Sequence, residues 1–169
     1  MFTNYVRYFP LTPLGGCFIV GVGLAILVGA AMPRARMRLV GAGFGFGTLL
    51  IYVGLRPLSP GVPRAADVAI WSIPVAILIE TIVFAIVMPR ARRRGERAAG
   101  VATLVIVSAH FIIMLPAFGP LIACLSIAGL VNAWRGWRQP VSFGQLWFVD
   151  GLLKVLFGAA MIATAPVFS

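Results

Sequence analysis

The stretch Leu146-Trp147-Phe148-Val149-Asp150-Gly151-Leu152-Leu153-Lys154-Val155-Leu156-Phe157-Gly158 reads as a membrane helix everywhere except at Asp150 and Lys154. A charged side chain near the middle of a bilayer costs about 3 kcal/mol or more, so chains keep such residues for a reason. An acid four residues before a base lies on the same helical face, in the favourable order for a pair. The run therefore predicts a bilayer-crossing helix that carries its own ion pair. Trp147, Asp150, Gly151, Lys154 and Gly158 share one face by i, i+3, i+4 and i+7 spacing.

The rest of the chain agrees with a membrane reading. Of 169 residues, 61% are hydrophobic and 11% charged, whereas a soluble domain carries about a quarter of charged residues. The net charge of +10 comes from Arg residues set between apolar runs, not on a basic face interleaved with aromatics. That arrangement argues against nucleic acid and makes the lipid bilayer the expected partner. Lys154 is the only lysine, and Ala, Gly and Val abound, which points to a GC-rich bacterial genome and hence to the bacterial inner membrane. Met1 to Pro13 holds one basic residue, Arg7, and no polar leader before a short apolar stretch, so no removable signal peptide is expected.

A bilayer core needs about 20 apolar residues per helix. That ruler predicts six spans in a single polytopic domain: Leu14–Met32, Leu39–Leu55, Val68–Met88, Ala98–Leu115, Pro120–Trp134 and Gln145–Ala165. Prolines punctuate them: Pro33 after the first, Pro57, Pro60 and Pro63 in the second connection, Pro89 at the end of the third and Pro140 before the sixth. Leu115 to Pro120 carries no charge, but one helix from Ala98 to Trp134 would be about 55 Å long. A tight turn at Pro116 and Pro120 is therefore expected in preference to a re-entrant segment.

Orientation follows from Arg. Arg34, Arg36, Arg38, Arg90, Arg92, Arg93, Arg94, Arg97, Arg135 and Arg138 follow the odd-numbered spans, against Arg7, Arg56 and Arg64 on the other side. Ten against three places the first set in the cytoplasm and both termini outside. The expected fold is thus all-α, with three helical hairpins, N-out and C-out. Met32-Pro33-Arg34-Ala35-Arg36 and Met88-Pro89-Arg90-Ala91-Arg92 are the same five letters, and Trp134-Arg135-Gly136-Trp137-Arg138 holds the corresponding place in the third hairpin. They point to a parallel repeat of two-helix units, although Pro and Arg recur at cytoplasmic helix ends on topogenic grounds alone.

Gly41/Gly45 and Gly43/Gly47 form two small-xxx-small pairs in the second span, and Gly15, Gly21, Gly23 and Gly29 thin the first. Such residues let helices approach closely, within one chain or between copies in a homo-oligomer. Cys17 and Cys124 fall near the same end of their spans and are expected to stay free, as small buried apolar residues, in preference to a disulfide.

Two further ionisable residues, Glu80 and His110, lie deep within apolar runs. Counting about 1.5 Å per residue from the Arg-rich ends puts Glu80, His110, Asp150 and Lys154 about 12, 18, 8 and 14 Å deep, within one layer. These four are the candidate substrate or proton pathway, with Trp71, Ser72, Ser108, Asn132 and Trp147 as accessory candidates. No metal-ligand spacing, no paired catalytic carboxylates and no nucleophile–base spacing occurs, and the loops are too short for a catalytic domain, so neither metal, cofactor nor enzymatic activity is expected. The expected function is a transporter or channel for protons or a small polar solute. The alternative is a structural or partner-docking subunit with buried ion pairs.

Asp150-Gly-Leu-Leu-Lys154-Val-Leu-Phe-Gly158 also resembles the retinal-binding helix of microbial rhodopsins, where an Asp one turn before the Schiff-base Lys precedes a similar Val-x-Phe-Gly. Ile70-Trp71-Ser72-Ile73-Pro74-Val75 resembles a retinal-wall helix of the same proteins. The resemblance implies a lysine-linked chromophore at Lys154 as a minor alternative. It covers nine residues around Lys154, and those proteins have seven spans with the last helix running the other way.

Overall fold

In hydrocarbon no water competes for backbone N–H and C=O groups, so apolar runs of this length satisfy them internally as helices. The computed structural model describes residues 8–32, 34–58 and 67–165, and all regular structure among them is helical. The elements are α1 (Thr12–Ala31), α2 (Arg36–Leu58), α3 (Asp67–Arg93), α4 (Glu96–Ile113), a short turn α5 (Leu115–Phe118), α6 (Pro120–Arg138) and α7 (Phe143–Ile162). Proline opens α1, α5 and α6, where its missing N–H is an orphan donor in any case. A capping box starts α7: the Gln145 N–H donates to Ser142 Oγ at 3.2 Å and the Ser142 N–H donates to Gln145 Oε1 at 3.3 Å. Between α5 and α6 the chain turns at Gly119, whose φ of 72° is the left-handed region that glycine tolerates.

Four segments are long and apolar enough to cross a membrane: α1, Trp71–Arg93 of α3, α4 and α7. The other two long helices, α2 and α6, have 23 and 19 residues but mix Gly, Arg and Asn or Thr into their apolar runs.

Two proline boundaries differ from the sequence reading. Helix α3 continues through Pro89 to Arg93 instead of ending at Met88, and Pro57 lies inside the last turn of α2. A proline removes one intrahelical donor, which strains a helix without necessarily ending it. The two matching pentapeptides consequently differ in shape: residues 88–92 are helical, whereas Met32 lies outside α1 and Arg36 opens α2. Arg7, Pro33, Pro60, Pro63 and Arg64 lie outside the described residues.

Neighbouring helices pack antiparallel. Gly21 meets Gly47 and Gly29 meets Arg36 between α1 and α2; Gly16 meets Gly158 and Gly23 meets Gly151 between α1 and α7. Met88 pairs with Thr103 across α3 and α4, Ser126 with Ser108 across α4 and α6, and Asn132 with Leu146 across α6 and α7. The long helices therefore alternate in direction, which gathers the ten Arg residues of the odd-span connections at one end of the bundle. The main apolar core fills the opposite half, around Ile19, Ala76, Phe111, Phe118, Ile122 and Met161. There the Thr12 hydroxyl donates to the Phe118 carbonyl at 3.0 Å and ties α1 to α5.

The small residues divide by face. Gly43 and Gly47 press against α1, while a Cβ at Gly41 or Gly45 would meet nothing within 4 Å. The most extensive seam joins α1 to α7, through Gly16 and Gly23 on one side and Gly151 and Gly158 on the other. Both cysteines are free; Cys17 is buried, but Cys124 faces outward and so does not belong to the core as expected.

Candidate functional site

Helix α7 presents Asp150 and Lys154 from successive turns of its inward face. Lys154 Nζ donates to Asp150 Oδ1 at 2.5 Å, and the two side chains are 3% and 5% exposed for Lys154 and Asp150 respectively. Helix α1 crosses directly behind them. A Cβ at Gly23 would lie 2.9 Å from Lys154 Cβ and 3.0 Å from the Gly151 carbonyl, so only glycine admits this approach. On the other side stands α4, with Lys154 Nζ 5.8 Å from the centroid of the Phe111 ring, within cation–π reach.

Phe111 leads to the second pair. Its ring centroid lies 4.4 Å from that of His110, and His110 Nδ1 faces Glu80 Oε2 at 3.6 Å across the α3–α4 contact. That separation is a charge contact, longer than a hydrogen bond, and His110 Nδ1 has no hydrogen-bond partner among the described residues. The four residues drawn from the sequence thus form two pairs, one across α3 and α4 and one within α7, with Phe111 between them. Burial is graded across the pairs: Glu80 is 21% exposed and His110 10%, against 5% for Asp150 and 3% for Lys154. A carboxylate, an imidazole and an amine in such a series can exchange protons or offer charge-assisted contacts to a polar solute.

The accessory candidates mostly fall elsewhere. Trp71 is 67% exposed, against 21% for Glu80 on the same helix. Ser72 is buried on α3. Ser108 is buried at the α4–α6 contact, where its carbonyl accepts from the Ser126 hydroxyl at 2.6 Å. Asn132 Nδ2 donates to the Leu146 carbonyl at 2.9 Å and leaves its own Oδ1 unpaired. Trp147 is buried one turn before Asp150, toward the Arg-rich end. Among the described residues no three His, Cys, Asp or Glu side chains are grouped to hold a metal. Of the two residues that wall the cluster, Phe111 escaped the sequence reading and Gly23 entered it only as a packing glycine; adjacency to His110 marks Phe111, but nothing local shows that either faces Lys154.

No curated protein and no solved structure matches the chain. A family described as a family of unknown function matches residues 3–167, nearly the whole sequence, so the chain belongs to that family, DUF6609.

Proposed function

We propose that this is a bacterial inner-membrane protein of six spans, three hairpins with both ends outside, that passes protons or a small polar solute through the Glu80–His110 and Asp150–Lys154 cluster. The observation that carries the reading is the intrahelical nature of the inner pair. Asp150 and Lys154 belong to the same helix, so their bond ties no two helices together and a purely adhesive role leaves it without a purpose. Glu80–His110 does bridge α3 and α4, and adhesion would account for that pair alone. Keeping a buried intrahelical pair within electrostatic reach of a less buried carboxylate is what a relay needs, with Glu80 as its more accessible end. In a homo-oligomer, the outward Gly41/Gly45 pair of α2 is the surface that would admit a close second helix.

In liposomes loaded with a pH-sensitive dye, the wild-type protein is expected to dissipate an imposed proton gradient, or to take up a small polar solute. Glu80→Gln, which keeps shape and hydrogen bonding but removes the charge, is expected to lower that flux to the level of empty vesicles while the protein still inserts. Full flux in both Glu80→Gln and His110→Ala, or none from the wild type, overturns the reading.

The orientation has its own check. A cysteine placed at Ser169, in a chain lacking Cys17 and Cys124, is expected to react with an impermeant maleimide on intact cells; labelling only after permeabilisation would reverse the topology. Neutralising Arg92, Arg93 and Arg94 together is expected to misorient more protein than neutralising Arg56 and Arg64, because local positive charge sets the inside.

A further inference from the structure

At the Arg-rich end of the bundle, Arg36 is placed with unusual care. Its Nε donates at 3.1 Å to the carbonyl of Gly29, which lies in the last turn of α1. Its guanidinium carbon lies 4.7 Å from the centroid of the Phe143 ring and 5.6 Å from that of Trp147. Those two rings are themselves 5.2 Å apart and tilted by 43°, and they form a wall that the guanidinium faces. Phe143 is in turn held against Gly100 of α4, where a Cβ would clash with its ring. One hydrogen bond and two rings thus pin a side chain that ordinarily wanders.

Among the described residues no anion meets the pinned group. The ion pairs among the described residues are Glu80–His110 and Asp150–Lys154, and neither involves Arg36. Beside it the Trp147 indole N–H is buried without a hydrogen-bond partner, in a side chain only 6% exposed. An orphaned buried donor of this kind costs about 1–3 kcal/mol, and here it stands next to a half-buried cation. The two converge on Gly29: a Cβ at that position would lie 3.5 Å from Trp147 Nε1 and 3.3 Å from Arg36 Cγ. A side chain at that position would crowd Arg36. The first turn of α7, which begins at Phe143, adds the positive end of a helix dipole on the same side.

From this convergence we infer that Arg36 and Trp147 form an oxyanion site, taking a phosphate-type group whose oxygens accept from the guanidinium and the indole N–H together. Guanidinium supplies charge and a planar fork, and the indole supplies a neutral donor that fixes orientation. The group is either a free anion or the headgroup of an anionic lipid at the membrane surface. The inference stands on α1, α2 and α7, with α4 backing Phe143, and does not depend on proton or solute passage.

The test uses full-length protein in neutral detergent with 15N-labelled tryptophan. The chain holds four tryptophans, and Trp147→Phe identifies the fourth indole signal by its loss. Titration with inorganic phosphate, and separately with short-chain phosphatidylglycerol, is expected to shift the Trp147 indole signal saturably and leave those of Trp71, Trp134 and Trp137 in place. Arg36→Gln is expected to weaken that binding on the order of tenfold or more, and Gly29→Ala, whose Cβ crowds the Arg36 stem beside Trp147 Nε1, to do the same. Arg94→Gln, at an exposed arginine on the same end, is expected to leave it unchanged. A response to the lipid at concentrations where phosphate has no effect assigns the site to a headgroup, and equal responses assign it to a free anion. The inference is overturned if neither probe moves the Trp147 signal, or if Arg94→Gln weakens binding as much as Arg36→Gln and Gly29→Ala.

Discussion

Gly16→Val is expected to cost more stability than any conservative change on the outer surface, about 3 kcal/mol, whereas Gly45→Ala is expected to be neutral. A Cβ at Gly16 would lie 2.6 Å from the Gly158 carbonyl oxygen, 2.8 Å from Met161 Cβ and 2.9 Å from the Ile162 nitrogen. Two of those three atoms are backbone, so relief requires α1 and α7 to move apart. Where lipid supplies no hydrophobic drive, close backbone approach is the main source of helix association. Separation would also withdraw Gly23 from Gly151 and Lys154, which share the seam. At Gly45 a Cβ meets nothing within 4 Å, and alanine is the better helix former by about 1 kcal/mol in soluble hosts. Thermal midpoints in detergent, read by loss of the monodisperse peak, should separate the two variants clearly. Equal midpoints would remove the seam as a stabilising element.

The second large effect is expected at the buried pair. Asp150→Asn and Lys154→Met are each expected to cost about 3 kcal/mol, because each leaves the other charge buried without a partner. The double variant is expected to be more stable than the sum of the singles by about 2 kcal/mol. Lys154→Met suits the purpose because methionine keeps the stem that lies against Gly23 and Phe111. A denaturant or thermal cycle over the four proteins measures the coupling directly, and strictly additive losses would mean that the 2.5 Å contact contributes nothing to stability. Taken with the flux of Glu80→Gln, the cycle separates the two uses of the cluster. Strong coupling with unchanged flux would leave the pair as charge neutralisation within α7, while lost flux with little change in stability belongs to passage.

Much of this protein was legible from local pattern. Apolar runs near bilayer length mark where helices form, since a helix is the one local structure that satisfies its own backbone in hydrocarbon. The Asp150–Lys154 contact was legible for the same reason: residues four apart on a helix are neighbours wherever the helix sits. Pro57 and Pro89 misled because a proline removes a single donor, and within the last turns of α2 and α3 that loss does not end the helix.

Relations between helices were decided only by tertiary structure. Glu80 and His110 are 30 residues apart in sequence, and they meet because α3 and α4 pack antiparallel in a register that hydropathy does not carry. The glycines make the same point. Gly41, Gly43, Gly45 and Gly47 are equivalent as letters, yet two press against α1 and two face outward, since a glycine carries no side chain to show which face the core will claim. Arg36 counted in the sequence as one of ten topogenic arginines; only the meeting of α1, α2 and α7 sets it before Phe143 and the unpaired Trp147 N–H. Periodicity and composition act within one segment and so determine the helices and their internal pairs. Which faces meet is a property of the packed bundle, settled by steric fit between surfaces that lie far apart along the chain.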